Sequence, residues 1–182
     1  MRRFLFAAIV PAALVTLAAR PAVAVAQTAT FKAEYAKQLD DVGGKLVQLA
    51  EATPQDKYNW RPGKGVRSVG EVFLHIAGAN FQIPGVLGLK SPVAVGNDFE
   101  TKTTDKAQIV ALLKHSIEHA RAAGAALADA DAAQEVSLFG MKLTKLGVVL
   151  LLATHMHEHL GQSIAYARTN GIVPPWSAKG GM

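Results

Sequence analysis

The chain has 182 residues, of which 50% are hydrophobic, and a formal net charge of +5 at pH 7. Outside residues 1–26, 16 basic and 14 acidic residues leave a net charge of +2, too small to indicate binding to nucleic acid or to anionic membranes. The absence of cysteine excludes disulfides, thiolate metal ligands and a cysteine nucleophile.

The N-terminal segment, residues 1–26, is predicted to be a cleavable signal peptide. Two arginines precede an apolar run over residues 4–19, and Ala-Val-Ala at residues 24–26 fits a signal-peptidase site. The alternative is a retained membrane anchor, but Pro11 interrupts the run, and the run is shorter than the roughly 20 residues that a spanning helix needs. We therefore expect a periplasmic or secreted protein with no stable membrane anchor and one domain over residues 27–182.

Two helices are predicted in the first half of this domain. The first spans about residues 30–52 and ends at Thr53, because the residue before a proline disfavours helix. Its apolar residues recur at helical spacing: Phe31, Tyr35, Leu39, Val42, Leu46 and Leu49. The second begins after Ser68, which is predicted to form a capping box with Glu71, and it ends near Pro84.

The second half is predicted to contain two more helices and a short extended segment. Residues 84–104 lack a sustained period and are interpreted as a long loop of the kind that covers a site. A third helix over about residues 105–127 and a fourth over about 145–170 flank the extended segment at 135–144. The predicted buried stripe of the third helix contains Ile109, Leu112, Leu113, Ile117, Ala120 and Leu127. Four such helices predict an all-α fold, a four-helix bundle.

Three histidines lie within five positions of the fourth helix, at 155, 157 and 159. His155 and His159 are one turn apart and share a face, which suits two imidazoles on one metal ion. His157 points to the opposite side, about 200° from His155, and cannot join them. Because a stable site needs three or four ligands, at least one more residue is required.

Three further candidates for ligands lie on the second and third helices. His115 and His119 form another pair one turn apart, but both lie roughly 100–140° from the centre of the predicted stripe, so a solvated face is the expected environment. His75 flanks the apolar face of the second helix beside Gly78. From the pattern alone, His75 is either a hydrogen-bonded core residue or a metal ligand.

Two segments resemble the DinB-like (DinB/YfiT) family of metal-binding four-helix bundles. They are "RPGKGVRSVGEVFLHIAGANF" at residues 61–81 and "HMHEHLGQSIAYARTNGIVPPW" at residues 155–176. The resemblance implies three metal-binding histidines, one from the second helix and two from the fourth, which fall on His75, His155 and His159. It also implies a homodimer.

Three polar neighbours of these histidines are candidates for the pocket or for support of the ligands. Gln162 and Tyr166 continue the stripe of His155 and His159, where simple helix packing is the alternative interpretation. Glu158 lies about 60° from His155, a position that fits either a supporting contact or plain surface exposure. The segment is not the H-E-x-x-H signature of metalloproteases.

Three histidines with an open coordination position are typical of catalytic rather than structural metal sites. The resemblance therefore implies a metal-dependent enzyme acting on a small molecule, either a hydrolase or an enzyme resembling a thiol transferase. Export argues against thiol transfer, because the low-molecular-weight thiols that such enzymes use are cytosolic. The alternatives are a non-catalytic bundle that binds a metal or a small ligand, and a bundle with core histidines and no metal. Zinc, nickel, iron and manganese all accept imidazole ligands, and the sequence does not choose among them.

Overall fold

The computed structural model describes residues 20–178, with side chains from Phe31 onward. The predicted signal peptide, residues 1–26, lies outside this range except for residues 20–26. The described chain is mostly helical. Its elements in chain order are α1 (Arg20–Ala52), α2 (Val69–Gln82), α3 (Lys106–Ala126), β1 (Glu135–Leu138), β2 (Met141–Thr144), α4 (Lys145–Thr169) and α5 (Pro175–Ala178).

The helix starts follow the capping chemistry of the sequence. The Ser68 hydroxyl accepts a hydrogen bond from the Glu71 amide, and the Glu71 carboxylate accepts one from the Ser68 amide. The predicted capping box of α2 is therefore confirmed. Asp105 and Thr144 cap α3 and α4 more simply, because each side-chain oxygen accepts one hydrogen bond, from the Gln108 and Gly147 amides respectively. The prediction for α1 was wrong at its start, because the helix begins at Arg20 rather than near residue 30.

The four long helices surround one hydrophobic core. α1 packs against α3 and α4, and α2 packs against the same two helices on its own side. The largest fully buried side chains come from all four helices and from the loop after α1: Tyr58, Phe73, Phe81, Leu39, Leu46, Leu49, Leu74, Ile76, Ile109, Leu113, Leu152 and Met156. This packing places the buried face of α2 opposite that of α4. His75 lies on α2, and His155 and His159 lie on α4.

A β-hairpin connects α3 to α4. β1 and β2 pair antiparallel, with Leu138 opposite Met141, so that Phe139 and Gly140 form a two-residue turn. Both turn residues have positive φ, 51° for Phe139 and 80° for Gly140, as a type I′ turn requires. The extended segment predicted at residues 135–144 is thus confirmed as a hairpin.

The prediction that α3 exposes both of its histidines was wrong for His119. Its ring is buried, with a relative exposure of 8%, and lies 5.9 Å from the Phe81 ring, whereas His115 is exposed. The buried face of α3 also contains Ser116, which lies 3.4 Å from the Asn80 amide of α2. Two polar residues therefore belong to this face, and a stripe drawn through apolar residues alone is rotated away from it.

Within residues 20–178, no helix combines the length and the apolar character needed to cross a membrane.

Candidate metal centre

His75 from α2 and His155 and His159 from α4 form one compact cluster. Each residue offers one ring nitrogen, and these three atoms all lie within 4.8 Å of one another. The ring centroids are 5.0 Å apart for His75 and His155, 4.7 Å for His75 and His159, and 4.5 Å for His155 and His159. The fold therefore brings together the three histidines that the sequence and the resemblance singled out.

Glu100, in the loop between α2 and α3, holds the outer nitrogen of His75. The His75 Nδ1 atom lies 2.6 Å from Glu100 Oε1, and the Arg67 guanidinium donates to both carboxylate oxygens of Glu100, at 2.6 and 3.1 Å. Burial raises the pKa of Glu100, but the hydrogen bonds from Arg67 and His75 outweigh it and hold that pKa below its usual value. An ionised Glu100 accepts a hydrogen bond from the Nδ1–H group of His75. The unprotonated Nε2 atom of His75 then faces the cluster.

The loop that carries Glu100 is anchored in the core by the adjacent residue, Phe99. Phe99 is 3% exposed and packs edge-on against Phe81, at 6.3 Å between ring centroids. It also lies against Gly78 of α2, where an added Cβ would come within 3.2 Å of the Phe99 ring. A glycine at this position therefore permits the close approach that brings Glu100 next to His75.

A second chain of hydrogen bonds orients His159. Its Nδ1 atom lies 2.8 Å from Gln162 Oε1, and Gln162 Nε2 donates to the Tyr166 hydroxyl at 3.0 Å. The Tyr166 ring in turn packs edge-on against Trp60 from the loop before α2. Gln162 and Tyr166 thus lie where the sequence predicted pocket or supporting residues. Their arrangement leaves His159 Nε2 as the nitrogen available to the cluster.

His155 is partly buried on α4 and lies against the other two histidines of the cluster. Its Nε2 atom lies 3.1 Å from His75 Nε2, and its Nδ1 atom is buried and has no hydrogen-bond partner among the described residues. Burial, together with the nearby His159 and His75, lowers the pKa of His155 to about 4. Burial likewise lowers the pKa of His75 and outweighs the hydrogen bond to Glu100 that raises it. Both imidazoles are therefore neutral near pH 7, as metal ligands must be.

The donor set fits a first-row divalent ion. A tetrahedral ion with bonds of about 2.0–2.1 Å separates its ligand nitrogens by about 3.3–3.4 Å, close to the 3.1 Å between the Nε2 atoms of His75 and His155. His75 and His159 each have the outer nitrogen tied to an acceptor, the usual arrangement around a metal-bound imidazole.

The remaining candidates lie outside the cluster. Glu158 is exposed, and the carboxylate that contacts a cluster histidine is Glu100 instead. His157 is exposed on the opposite side of α4, with Nδ1 2.8 Å from the Ala153 carbonyl oxygen. His115 and His119 pack against Phe81 on another side of the core.

A cleft of about 410 Å³ opens beside His75 and His155. Its lining comes from α2, from the loop between α2 and α3, from the β1–β2 hairpin and from α4. Its apolar lining consists of Gly78, Ala79, Ile83, Val95, Gly96, Phe99, Phe139, Met141 and Leu151. The volume and the mainly apolar lining are those of a small-molecule site.

Glu100 and Arg67 are the neighbours of the cluster that sequence reasoning missed. Both lie in loops, 25 residues after and 8 residues before His75, and neither belongs to a periodic pattern. The one available signal was the interpretation of residues 84–104 as a loop that covers a site, which contains Glu100.

Comparisons with known proteins agree with this architecture. The family model of the DinB superfamily matches residues 38–163. A crystal structure of a DinB-like protein from Bacillus cereus ATCC 10987 is similar, with a TM-score of 0.64, 18% identity, and coverage of 74% of this chain and 89% of that one. Another, from Bacillus subtilis, has a TM-score of 0.61, 21% identity, and coverage of 77% and 93%. No curated protein sequence matches the chain significantly.

The two solved structures are less than 25% identical to this chain, so they support its fold alone. The family match spans more than half of the chain and includes all three cluster histidines. The resemblance inferred from the sequence is therefore confirmed, and the chain belongs to the DinB superfamily.

Proposed function

We propose that this four-helix bundle binds one divalent metal ion through His75, His155 and His159, and that it is a metal-dependent enzyme acting on a small molecule. The observation that carries the proposal is the convergence of three imidazoles whose ligand nitrogens lie within 4.8 Å of one another. An adjoining cleft leads from the surface to His75 and His155. Three ligands leave a coordination position open, as in catalytic metal sites.

The residues around the cluster prepare it for a cation. Glu100 and Gln162 accept hydrogen bonds from the Nδ1–H groups of His75 and His159. The Nε2 lone pairs of both histidines therefore face the cluster. Arg67 keeps Glu100 ionised and fixed in place. A divalent ion held there would supply Lewis-acid chemistry toward a substrate or a water molecule in the cleft. Zinc, nickel, iron and manganese remain the candidates, because imidazole nitrogen suits several first-row metals.

We further propose that the protein is exported and functions in the periplasm or outside the cell. The signal-peptide pattern of residues 1–26 supports this location. In such a compartment, hydrolysis is favoured over thiol transfer, because cytosolic thiols are scarce there. The small net charge outside residues 1–26 supports neither a nucleic-acid partner nor membrane attachment. A homodimer is proposed from the family resemblance alone.

The alternative function is a non-catalytic bundle that binds a metal or a small ligand. One observation favours it: Glu100, the only carboxylate among the residues that line the cleft, is already engaged by Arg67 and His75. A general base needs a free lone pair within reach of the substrate. With Glu100 engaged in this way, the cleft lining formed by the described residues offers no second carboxylate that could act as a general base.

Metal analysis combined with an activity assay tests the proposed function. Protein purified from its native compartment is analysed by mass spectrometry for bound metals, and p-nitrophenyl esters and phosphates are assayed with the protein as isolated. One equivalent of metal and an activity lost in His155→Ala but kept in His157→Ala support a metal-dependent hydrolase. One equivalent of metal with no activity in any of these assays favours the non-catalytic alternative, and protein without metal in the wild type contradicts both metal-binding proposals.

A further inference from the structure

The β1–β2 hairpin presents large apolar side chains to solvent beside the histidine cluster. Phe139 is 74% exposed and Met141 is 47% exposed, and both line the cleft that adjoins His75 and His155. Single exposed apolar residues are common on protein surfaces. Two of them on the rim of a cleft that already contains a candidate metal site indicate a surface that a ligand covers.

The backbone conformation of Phe139 is a second indication that its side chain contacts a ligand. Its φ of 51° lies in the left-handed region, which bulky residues rarely adopt. A type I′ turn strongly prefers asparagine or aspartate before the glycine, so Phe139-Gly140 is an unfavourable choice for the turn alone. The conformation of Phe139 therefore costs free energy of folding, and its exposed ring regains little of that cost through burial. Strained residues of this kind cluster where a side chain is needed for binding.

The charge of the cleft limits what this ligand can be. Among the described residues, the lining contains no lysine or arginine, and its one carboxylate, Glu100, is paired with Arg67. The other polar side chains of the lining, apart from the two histidines, are the neutral amides of Gln82 and Asn97. Beyond reach of an ion on the histidines, the rest of this lining, over the described residues, offers no cation to compensate for the desolvation of a polyanionic ligand. An uncharged apolar or aromatic group has no charge to desolvate and needs no such cation.

We propose that the cleft binds the uncharged apolar part of a small ligand whose coordinating group reaches the histidines, and that Phe139 and Met141 determine its specificity. The inference deepens the proposed function and rests on it for the coordinating group. The apolar part is held by Phe139 and Met141 and by the less exposed lining residues Leu151, Val95 and Ile83.

Two hydroxamates test the proposal in zinc-loaded protein. Acetohydroxamate and benzohydroxamate have the same chelating group and differ in a methyl or a phenyl substituent. We expect benzohydroxamate to bind the wild type about tenfold or more tightly than acetohydroxamate, because a buried phenyl ring gains at least that much affinity. In the double variant Phe139→Asn, Met141→Ser, the ratio is expected to fall to about threefold or less, because most of the apolar rim is lost.

A matched variant controls for nonspecific effects. Val173→Asn removes another strongly exposed apolar side chain, 61% exposed, that does not line the cleft, and it is expected to keep the wild-type ratio. Phe139→Asn alone is expected to raise the melting temperature, because asparagine tolerates the left-handed turn conformation. A loss of apolar binding in a variant that folds more stably separates a binding role from a structural one.

A metal-free measurement separates failure of this proposal from failure of the metal site. N-phenyl-1-naphthylamine, an uncharged apolar fluorophore, is titrated into chelator-treated protein and is expected to bind the wild type and Val173→Asn but not the double variant. If zinc does not bind the wild type, the metal proposal fails and the fluorophore still tests the cleft. The proposal would be overturned if the wild type and the double variant had the same ratio of benzohydroxamate to acetohydroxamate affinity. It would also be overturned if both bound the fluorophore equally well.

Discussion

Glu100 lies 2.6 Å from the Nδ1 atom of His75, across 25 residues of sequence, and fixes which nitrogen of that histidine faces the cluster. The contact depends on the loop between α2 and α3, which is anchored by the buried Phe99. Arg67 completes the arrangement by donating two hydrogen bonds to the same carboxylate. A candidate ligand from a helix is therefore oriented by a carboxylate from a loop.

Substituting Glu100 should weaken metal binding without removing a ligand. We expect Glu100→Gln to lower zinc affinity by about 10–100-fold, as is typical when a hydrogen-bond partner of a metal-bound histidine is changed. Competition with a chromogenic chelator measures the affinity. Glu158→Gln changes an exposed carboxylate on α4 and should leave the affinity at the wild-type value. Equal affinities for Glu100→Gln and wild type would show that Glu100 does not orient His75.

The metal-free protein should lose stability on acidification through the range set by His155. Its pKa falls from about 6.5 in the unfolded chain to about 4 in the folded chain, so the unfolded state takes up the proton first. The contribution of His155 is thus complete above pH 6.5 and is lost as the pH falls toward 4. After allowance for solvent screening of a half-buried group, the loss is on the order of 2 kcal/mol.

Denaturant unfolding between pH 7 and 4 in the presence of a chelator measures this effect. His155→Gln should show a shallower decrease in the free energy of unfolding across that range, because one of the groups that drives it has been removed. His157→Gln, on the exposed side of α4, is the matched control and should follow the wild type. A His155→Gln curve parallel to the wild type would contradict the assigned burial effect.

Neither member of the second histidine pair should contribute to metal binding, and only His119 should contribute to stability. His119 is buried against Phe81, so His119→Ala should destabilise the fold by about 1–3 kcal/mol through the cavity that it leaves. His115→Ala changes an exposed side chain and should alter stability by no more than about 0.5 kcal/mol. Metal analysis of the double variant should give the wild-type stoichiometry, and loss of the metal would place part of the site on α3.

The sequence was sufficient where one local rule applied. Helical spacing predicted the four helices, the Ser68–Glu71 pattern predicted the start of α2, and the one-turn separation placed His155 and His159 on a shared face. His75 was selected by the family resemblance, because an inward histidine has no pattern of its own that distinguishes a ligand from a core residue.

The remaining features depend on contacts between distant parts of the chain. Glu100 reaches His75 only because Phe99 packs beside Gly78, and no periodicity encodes that contact. His119 is buried because the face of α3 that meets α2 includes polar residues, whereas the prediction counted apolar ones. α1 begins at Arg20, within the segment predicted to be a signal peptide. The composition of that segment indicates a signal peptide, so the sequence did not predict that the helix begins there.

Calorimetric titration of zinc into the wild type and four single variants decides whether the three histidines form one site. Wild type and His157→Ala should bind one equivalent with the same affinity. His75→Ala, His155→Ala and His159→Ala should each bind at least tenfold more weakly, because two imidazoles are an incomplete ligand set. Equal affinity in wild type and His75→Ala would reduce the site to a pair of histidines on α4 and would contradict the proposed metal centre.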